Sequence, residues 1–73
     1  MSVSGRRGVI VKITRDSEYS FVTVKEGSKE VKLHTYSSIV ARLREGDTVL
    51  YSVKDKKAWR YKGVNFGYIR KAN

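Results

Sequence analysis

The sequence predicts an all-β fold, a small closed barrel of five short strands. Several segments alternate apolar and polar residues with a period of two, and glycine-bearing turns separate some of them. No long stretch shows the 3.6-residue apolar period of an amphipathic helix. In a chain of 73 residues, an open sheet would leave its edges unpaired and cover little core, so we expect closure.

The first three strands are predicted at residues 8–14, 19–24 and 29–34. The first is β-branched almost throughout, which suits a pleated strand. The second and third alternate, and Gly27 lies between them, where a tight turn needs a glycine. These two segments therefore predict a β-hairpin.

The later part of the chain predicts a helical turn and two more strands. Residues 39–41 follow two serines that suit a helix N-cap, so we expect a short helical turn between strands three and four. Strand four is predicted at residues 48–53. Strand five is predicted within residues 58–68, where Gly63 and Gly67 indicate a bulge or a bend.

The clearest core signal lies in strand four, where Val49, Tyr51 and Val53 share one face. We expect this face to pack against apolar side chains from the other strands and the helical turn. The expected partners are Ile10, Val22, Val24, Val31, Leu33, Ile39, Leu43 and Val64.

The length bounds the organisation of the chain. Residues 1–73 are expected to form one domain, with residues 1–6 and 71–73 frayed. The longest apolar run covers residues 9–11, whereas a membrane-spanning helix needs about 18 or more apolar residues. We therefore expect a soluble, cytoplasmic monomer without a membrane segment.

The side chains argue against catalysis and metal binding. There is no cysteine and one histidine, so neither a disulfide framework nor a zinc cluster is expected. The acidic residues are scattered without metal-ligand spacing, and no glycine-rich phosphate loop is present. We expect no enzymatic activity, no catalytic residue and no cofactor.

The charge indicates a polyanionic partner. Lys and Arg number 16 against 7 Asp and Glu, a net charge of +9. A field of this sign attracts nucleic acid first and acidic membrane second. Because no basic amphipathic helix is visible, the membrane is the weaker candidate.

Four short patterns follow one another along the chain. Residues 8–14 are a glycine followed by a strand, residues 19–22 read Tyr-Ser-Phe-Val, and residues 31–34 read Val-Lys-Leu-His. Ile39 follows that histidine, and residues 43–53 contain Leu-x-x-Gly-x-x-Val-x-Tyr-x-Val. In their order and spacing, these patterns resemble the cold-shock domain, an OB-fold family that binds single-stranded nucleic acid.

The resemblance covers about residues 8–65 and carries implications for fold and function. It implies a five-stranded antiparallel OB-type barrel with the helical turn between strands three and four. It also implies sequence-tolerant binding of single-stranded RNA or DNA, as in an RNA chaperone. The sequence departs from the family pattern at three places. Lys12 stands where the family has a Trp, and Ser20 stands where it has a Gly. One extra residue follows His34, so that Tyr36 takes the place of the usual aromatic residue one position later.

A first candidate patch lies on predicted strands two and three. Tyr19 and Phe21 are two residues apart, so their rings point the same way. The alternative, that this face is the core, would expose the valines next to them. His34 is either a stacking imidazole or a satisfied surface residue. The nucleic-acid-binding residues expected in and beside this patch are Lys12, Tyr19, Phe21, Lys32, His34 and Tyr36.

A second candidate cluster, residues 54–62, interleaves five basic residues with two aromatic ones. Trp59 is expected to stack on a base. The resemblance to cold-shock domains places Tyr61 near an inward position of the family, which implies that Tyr61 belongs to the core. Phe66 and Tyr68 share a strand face and either cover the barrel end or extend the binding surface. The residues of this cluster expected to contact nucleic acid are Lys56, Lys57, Trp59 and Arg60.

Two other functions fit the same composition. Small basic barrels of the chromatin type bind double-stranded DNA by laying a sheet over the minor groove. An OB module that makes protein contacts in a ribosome or polymerase assembly would use the same surface. The paired aromatics and the histidine pattern favour unpaired bases, so single-stranded nucleic acid is the expected partner.

Overall fold

Five strands form a closed barrel in the computed structural model, which describes residues 5–72. The strands close in the order β1-β2-β3-β5-β4, which is the order of an OB-type barrel, so the predicted all-β fold is confirmed. No helix within residues 5–72 has the length and apolar character to cross a membrane. The elements are β1 (Arg6–Thr14), β2 (Tyr19–Glu26), β3 (Lys29–Tyr36), β4 (Thr48–Lys54), a 3₁₀ helix (Lys57–Trp59) and β5 (Phe66–Lys71).

Two irregularities allow so short a sheet to close. A shift of register between Ile10 and Lys12 divides β1, so that its first part pairs with β4 and most of its length pairs with β2. Such a bulge bends a strand and increases its twist. The barrel closes where His34 of β3 pairs with Phe66 of β5. This last pairing is parallel, so the expectation of a purely antiparallel barrel is wrong at one of its five strand interfaces.

The helical turn expected between strands three and four is absent there. Residues 37–42 form successive turns, and the short 3₁₀ helix lies between β4 and β5 instead. The Arg15 guanidinium donates hydrogen bonds to the carbonyl oxygens of Val40 at 2.9 Å and Leu43 at 2.8 Å. These contacts come from a residue distant in sequence, and they hold the turns in place without a helix.

Strand five begins later than the sequence predicts. Gly63 has a φ of 80° and Lys62 a φ of 53°, which is typical of a two-residue type I′ turn. The N–H groups of Tyr61 and Val64 each donate to the other residue's carbonyl oxygen, at 2.9 and 3.0 Å. Gly63 therefore marks a tight turn within the stretch predicted as strand.

The strand ladder also extends closer to both ends than expected. Arg6 pairs with Tyr51, and Lys71 pairs with Val49. The fraying expected for residues 1–4 and 73 lies outside the described residues.

The core lies inside the barrel and contains the face predicted on strand four. Val49 and Tyr51 are almost fully buried, and Val53 packs at the edge of the cluster. Val64 is not part of this core, because it lies in the tight turn and is half-buried. Val40 and Ile69 are buried core residues that the sequence patterns did not predict. The buried cluster is Ile10, Val22, Val24, Leu33, Val40, Leu43, Val49, Tyr51 and Ile69.

One polar link joins the core to the barrel surface. The Tyr51 hydroxyl donates to Oε1 of Glu26 at 2.6 Å, and Arg6 Nε lies 3.1 Å from the same oxygen. Burial, followed by the bond to Glu26, raises the pKa of Tyr51 to about 12. The bond from Tyr51 is the main cause that lowers the pKa of Glu26, with a smaller contribution from the Arg6 charge.

Leu33→Ala tests the core. Leu33 is fully buried, so its truncation should lower the free energy of unfolding by about 2–4 kcal/mol, measured by denaturant titration. Val9→Ala is the control, because Val9 is 41% exposed and should cost far less. Equal losses in the two variants would contradict this placement of the core.

The Tyr51–Glu26 link predicts two pH windows of stability. Because folding lowers the pKa of Glu26, its contribution is present above the usual carboxyl pKa and is lost as the pH falls through the folded value. Because folding raises the pKa of Tyr51, its contribution is complete below about pH 10 and is lost towards pH about 12. NMR titration should show the Glu26 pKa below its usual value in the wild type and closer to it in Tyr51→Phe. A Glu26 pKa that Tyr51→Phe leaves unchanged would disprove the link.

Candidate functional site

Most of the aromatic side chains gather on the outside of the barrel. Seven of the eight aromatic residues and the histidine form one connected group of rings, with neighbouring centroids 5.1–6.4 Å apart. Tyr51 is the aromatic residue that points into the core instead. We call the group the aromatic surface, and its members are Tyr19, Phe21, His34, Tyr36, Trp59, Tyr61, Phe66 and Tyr68.

Strand register explains how the aromatic surface is assembled. Tyr19 pairs with Tyr36, Phe21 pairs with His34, and His34 pairs in turn with Phe66. Directly paired residues point to the same face of a sheet. The predicted outward placement of Tyr19 and Phe21 is confirmed, since the alternate residues of β2 are buried and these two are half-buried on the outside.

His34 is covered by the rings around it and is 3% exposed. Its Nδ1 lies 2.9 Å from the carbonyl oxygen of Val64, and its backbone N–H donates to the carbonyl oxygen of Asn65 at 2.9 Å. Because a carbonyl oxygen only accepts, Nδ1 carries the proton. Tyr19, Phe21, Tyr61 and Phe66 all have ring centroids within 6.4 Å of the imidazole. The imidazole therefore holds the turn against β3. Because neighbouring rings cover it, the expectation that His34 is an exposed stacking ring is wrong.

The segment between β4 and β5 brings Tyr61 onto the aromatic surface. The Tyr61 ring stacks on Phe21 with centroids 5.7 Å apart and an interplanar angle of 18°. The expectation that Tyr61 belongs to the core is wrong, because the type I′ turn directs it back over β2 and β3. The Lys62-Gly63 pair is the sequence signal that could have predicted this turn.

Arg60 is already engaged within the same segment. Its Nε donates to Oδ1 of Asn65 at 2.9 Å, and its Nη2 lies 3.2 Å from Oδ1 of Asp55. The Arg60 guanidinium binds Asp55 at the start of the segment and Asn65 at its end. Among the basic residues predicted to contact a ligand, Arg60 is thus the one whose donors have partners within the segment.

Phe66 lies at the centre of the open part of the aromatic surface. It is 8% exposed and makes edge-on contacts with Tyr36 at 5.6 Å, Trp59 at 6.1 Å and Tyr68 at 5.1 Å. Those three rings are 44%, 45% and 48% exposed. They are the aromatic residues with the largest areas open to solvent, whereas Phe21 lies beneath Tyr61 and Lys32.

An open cleft of about 370 Å³ runs between the 3₁₀ segment and the strands. Its lining includes Tyr36, Trp59, Phe66 and Tyr68, and Phe21 is outside it. The structure answers the question left open for Phe66 and Tyr68, since both extend this outer surface. The cleft has the size and the ring faces to admit a flat aromatic group.

Lysines surround the aromatic surface. The Nζ atoms of Lys32, Lys54, Lys56 and Lys62 lie 5.8, 5.8, 4.8 and 5.5 Å from the ring centroids of Phe21, Tyr68, Trp59 and Tyr61. Cations at these distances are held over aromatic faces by the ring quadrupole. Two of the four, Lys54 and Lys62, were not among the predicted contact residues. The adjacent Tyr61 was a sequence signal for Lys62, whereas Lys54 meets Tyr68 only through the pairing of β4 with β5.

The remaining predicted basic residues lie at the margin. Lys12 pairs with Thr23, which pairs with Lys32, so Lys12 is in the same outward row one strand further away. Lys57 is exposed at the start of the 3₁₀ helix. The structure therefore brings Lys32 and Lys56 next to rings and leaves Lys12 and Lys57 as flanking charges.

The Tyr19 hydroxyl is a titratable group of the aromatic surface. Burial, followed by the nearby Glu18 charge, raises the pKa of Tyr19. Its hydroxyl is therefore neutral at physiological pH. Among residues 5–72, no three His, Asp or Glu side chains come together as metal ligands. The chemistry that this surface offers is stacking, hydrogen bonding and attraction of negative charge.

No protein-family model, curated protein or solved structure matches the chain. The resemblance to cold-shock domains rests on the order of the sequence patterns alone. The geometry of the aromatic surface is therefore the main guide to function.

Two substitutions of His34 separate its hydrogen bond from its ring. His34→Phe keeps a ring but removes the Nδ1 donor to the carbonyl oxygen of Val64, which still accepts from the Tyr61 N–H, so the expected loss of stability is about 0.5–1.5 kcal/mol. His34→Asn keeps a donor close to the Nδ1 position and loses the ring. Amide exchange of Tyr61 and Val64 should be faster in His34→Phe than in His34→Asn. Slower or equal exchange in His34→Phe would show that ring packing, not this bond, holds the turn.

Proposed function

We propose that this protein binds single-stranded RNA or DNA with little sequence preference, through the aromatic surface. The observation that carries the proposal is the collection of seven aromatic rings on one outer face, with four lysine Nζ atoms within 5.8 Å of ring centroids. Unpaired bases stack on aromatic rings while cations contact the phosphates beside them. Every base has a π-face, so such a surface tolerates many sequences.

The proposed stacking residues are the three open rings. Tyr36, Trp59 and Tyr68 surround the buried Phe66 and line the cleft. Each stacked base contributes about 1–3 kcal/mol in proteins that bind in this way. Tyr19 stacks beside Tyr36 with centroids 5.3 Å apart, whereas Phe21 packs against Tyr61, and both placements differ from the roles expected of them from sequence.

The lysines next to these rings supply the attraction for phosphate. The two ion pairs found among residues 5–72 are Arg6 with Glu26 and Arg60 with Asp55. The four lysines whose Nζ atoms lie over rings of the aromatic surface belong to neither pair, so their charge is available to a polyanion. They are Lys32, Lys54, Lys56 and Lys62. Lys12 and Lys57 add flanking charge, in keeping with the net charge of +9.

A single strand fits this surface better than a duplex. In a duplex, the base faces are stacked on each other and are not accessible to Trp59 or Tyr68. A protein that holds unpaired strands shifts the duplex equilibrium towards them without ATP. We therefore propose an RNA-chaperone role, which agrees with the resemblance to cold-shock domains.

A salt titration with matched single-stranded and duplex oligonucleotides tests the proposal. If about four to six phosphates are neutralised, the logarithm of the association constant should fall with the logarithm of salt concentration with a slope of about −3 to −4 for the single strand. Binding to the single strand should be tighter throughout. Tighter binding to the duplex would overturn the proposal and favour a chromatin-type role.

The same titration with two variants checks the residues. Trp59→Leu should weaken single-strand binding by about 1–3 kcal/mol, because it removes an open ring. Phe21→Leu is the matched control and should have a smaller effect, since its ring lies outside the cleft. Thermal unfolding confirms that both variants fold. If the folded Phe21→Leu protein binds more weakly than Trp59→Leu, the bases stack on β2 instead.

A further inference from the structure

The outer face of β4 and β5 continues from the aromatic surface without a break. In the strand register, Lys54 pairs with Phe66, Ser52 with Tyr68, and Leu50 with Arg70. Directly paired residues share a face, so these six side chains form one outward strip. Tyr68 belongs both to this strip and to the aromatic surface. We call Leu50, Ser52, Lys54, Tyr68 and Arg70 the β4–β5 groove.

The groove is large, partly apolar and positively charged. It lies along an open depression of about 940 Å³, whose lining also includes Gly5, Ile39, Tyr51, Val53 and Ile69. Lys54 and Arg70 are exposed, and the lining includes no carboxylate. Neither cation takes part in the two ion pairs found within residues 5–72. The groove therefore presents uncompensated positive charge beside an open aromatic ring.

We propose that the β4–β5 groove is a second subsite for the same single strand. A base stacks on Tyr68, and the phosphates next to it contact Lys54 and Arg70. The strand thus continues past the cleft beside Trp59 and along β4 and β5. This inference rests on the proposed function and specifies which further part of the barrel the ligand covers.

Three observations support this path for the strand. Tyr68 is 48% exposed, and its ring touches Phe66 at a centroid distance of 5.1 Å. Stacking on Tyr68 would therefore continue the row of rings from the cleft. The Lys54 Nζ lies 5.8 Å from the Tyr68 centroid, where it can contact a phosphate of the stacked nucleotide. Proteins with OB folds bind about 4–16 nucleotides per fold, so a bound strand that extends beyond one cleft is in keeping with this architecture.

The groove lies partly beyond the stretch that resembles cold-shock domains. That stretch ends near residue 65, whereas Tyr68 and Arg70 belong to β5. The charge selects the occupant, because Lys54 and Arg70 complement a phosphate backbone. A neutral or basic protein segment would leave both cations without partners.

Binding to single-stranded oligonucleotides of two lengths tests the second subsite. The wild type should bind an oligomer of about ten nucleotides more tightly than one of about four, because the longer one reaches the groove. Arg70→Glu, at a groove residue that does not line the cleft, should lower the affinity for the longer oligomer by about tenfold, because it replaces a phosphate-binding cation with an acid. It should change the affinity for the shorter one by less than about twofold. Equal losses at both lengths, or no loss at either, would overturn the second subsite.

The salt dependence of binding provides an independent measurement, made with a double variant that removes two charges and no ring. Lys54→Gln with Arg70→Gln should reduce the salt slope for the longer oligomer by about 0.7 for each phosphate that is no longer neutralised. Lys25→Gln with Lys29→Gln is the matched control, since it removes two charges on β2 and β3 away from the groove. Equal reductions in both double variants would mean that the cations act only through net charge, which overturns the subsite.

The two proposals fail in different ways. If the wild type binds neither oligomer, both proposals are wrong. If the wild type binds both equally well and Arg70→Glu has no effect, the proposed function stands and the second subsite does not exist. If an acidic peptide, but no oligonucleotide, binds in the groove, the partner is a protein and both proposals are overturned.

Discussion

The barrel depends on one contact, the pairing of His34 in β3 with Phe66 in β5. This parallel pair closes the sheet, and two hydrogen bonds from His34 fasten residues 64 and 65 next to it. Closure therefore brings the segment after β4 back over the outer face of β2 and β3. Without this contact, Trp59 and Tyr61 would have no fixed position relative to Tyr19 or Tyr36. The same pair thus completes the fold and assembles the aromatic surface.

Small size explains why the outer face carries so many rings. A chain of 73 residues has a thin core, because small domains bury only about 60% of their chain surface. The aromatic side chains outside the barrel cover one another and so bury apolar area on both faces of the sheet. Phe66, His34 and Phe21 are shielded in this way, and Tyr36, Trp59 and Tyr68 remain open. Contiguous exposed apolar area of this kind is typical of an interaction site.

Local patterns predicted the first four strands well, because alternation with a period of two reports directly which side chains face the core. The Val22 and Val24 face of β2 is an example. Strand five was misplaced because residues 58–65 have strand-like composition but are shaped by the Lys62-Gly63 turn and by bonds to His34. The missing helical turn has a similar cause, since Arg15 binds carbonyls 25 and 28 residues away. Tyr61 was assigned to the core because the resemblance to cold-shock domains placed it near an inward position, whereas the Lys62-Gly63 turn directs it outside.

Phe66 also has a consequence for the entropy of binding. Its edge-on contacts hold the rings of Tyr36, Trp59 and Tyr68 in set orientations before any ligand arrives. Immobilising a flexible side chain on binding costs about 0.5–1.5 kcal/mol, and rings that are already packed avoid most of that cost. The buried ring therefore gives the surface preorganisation: the free protein already holds the ring geometry that a stacked base requires.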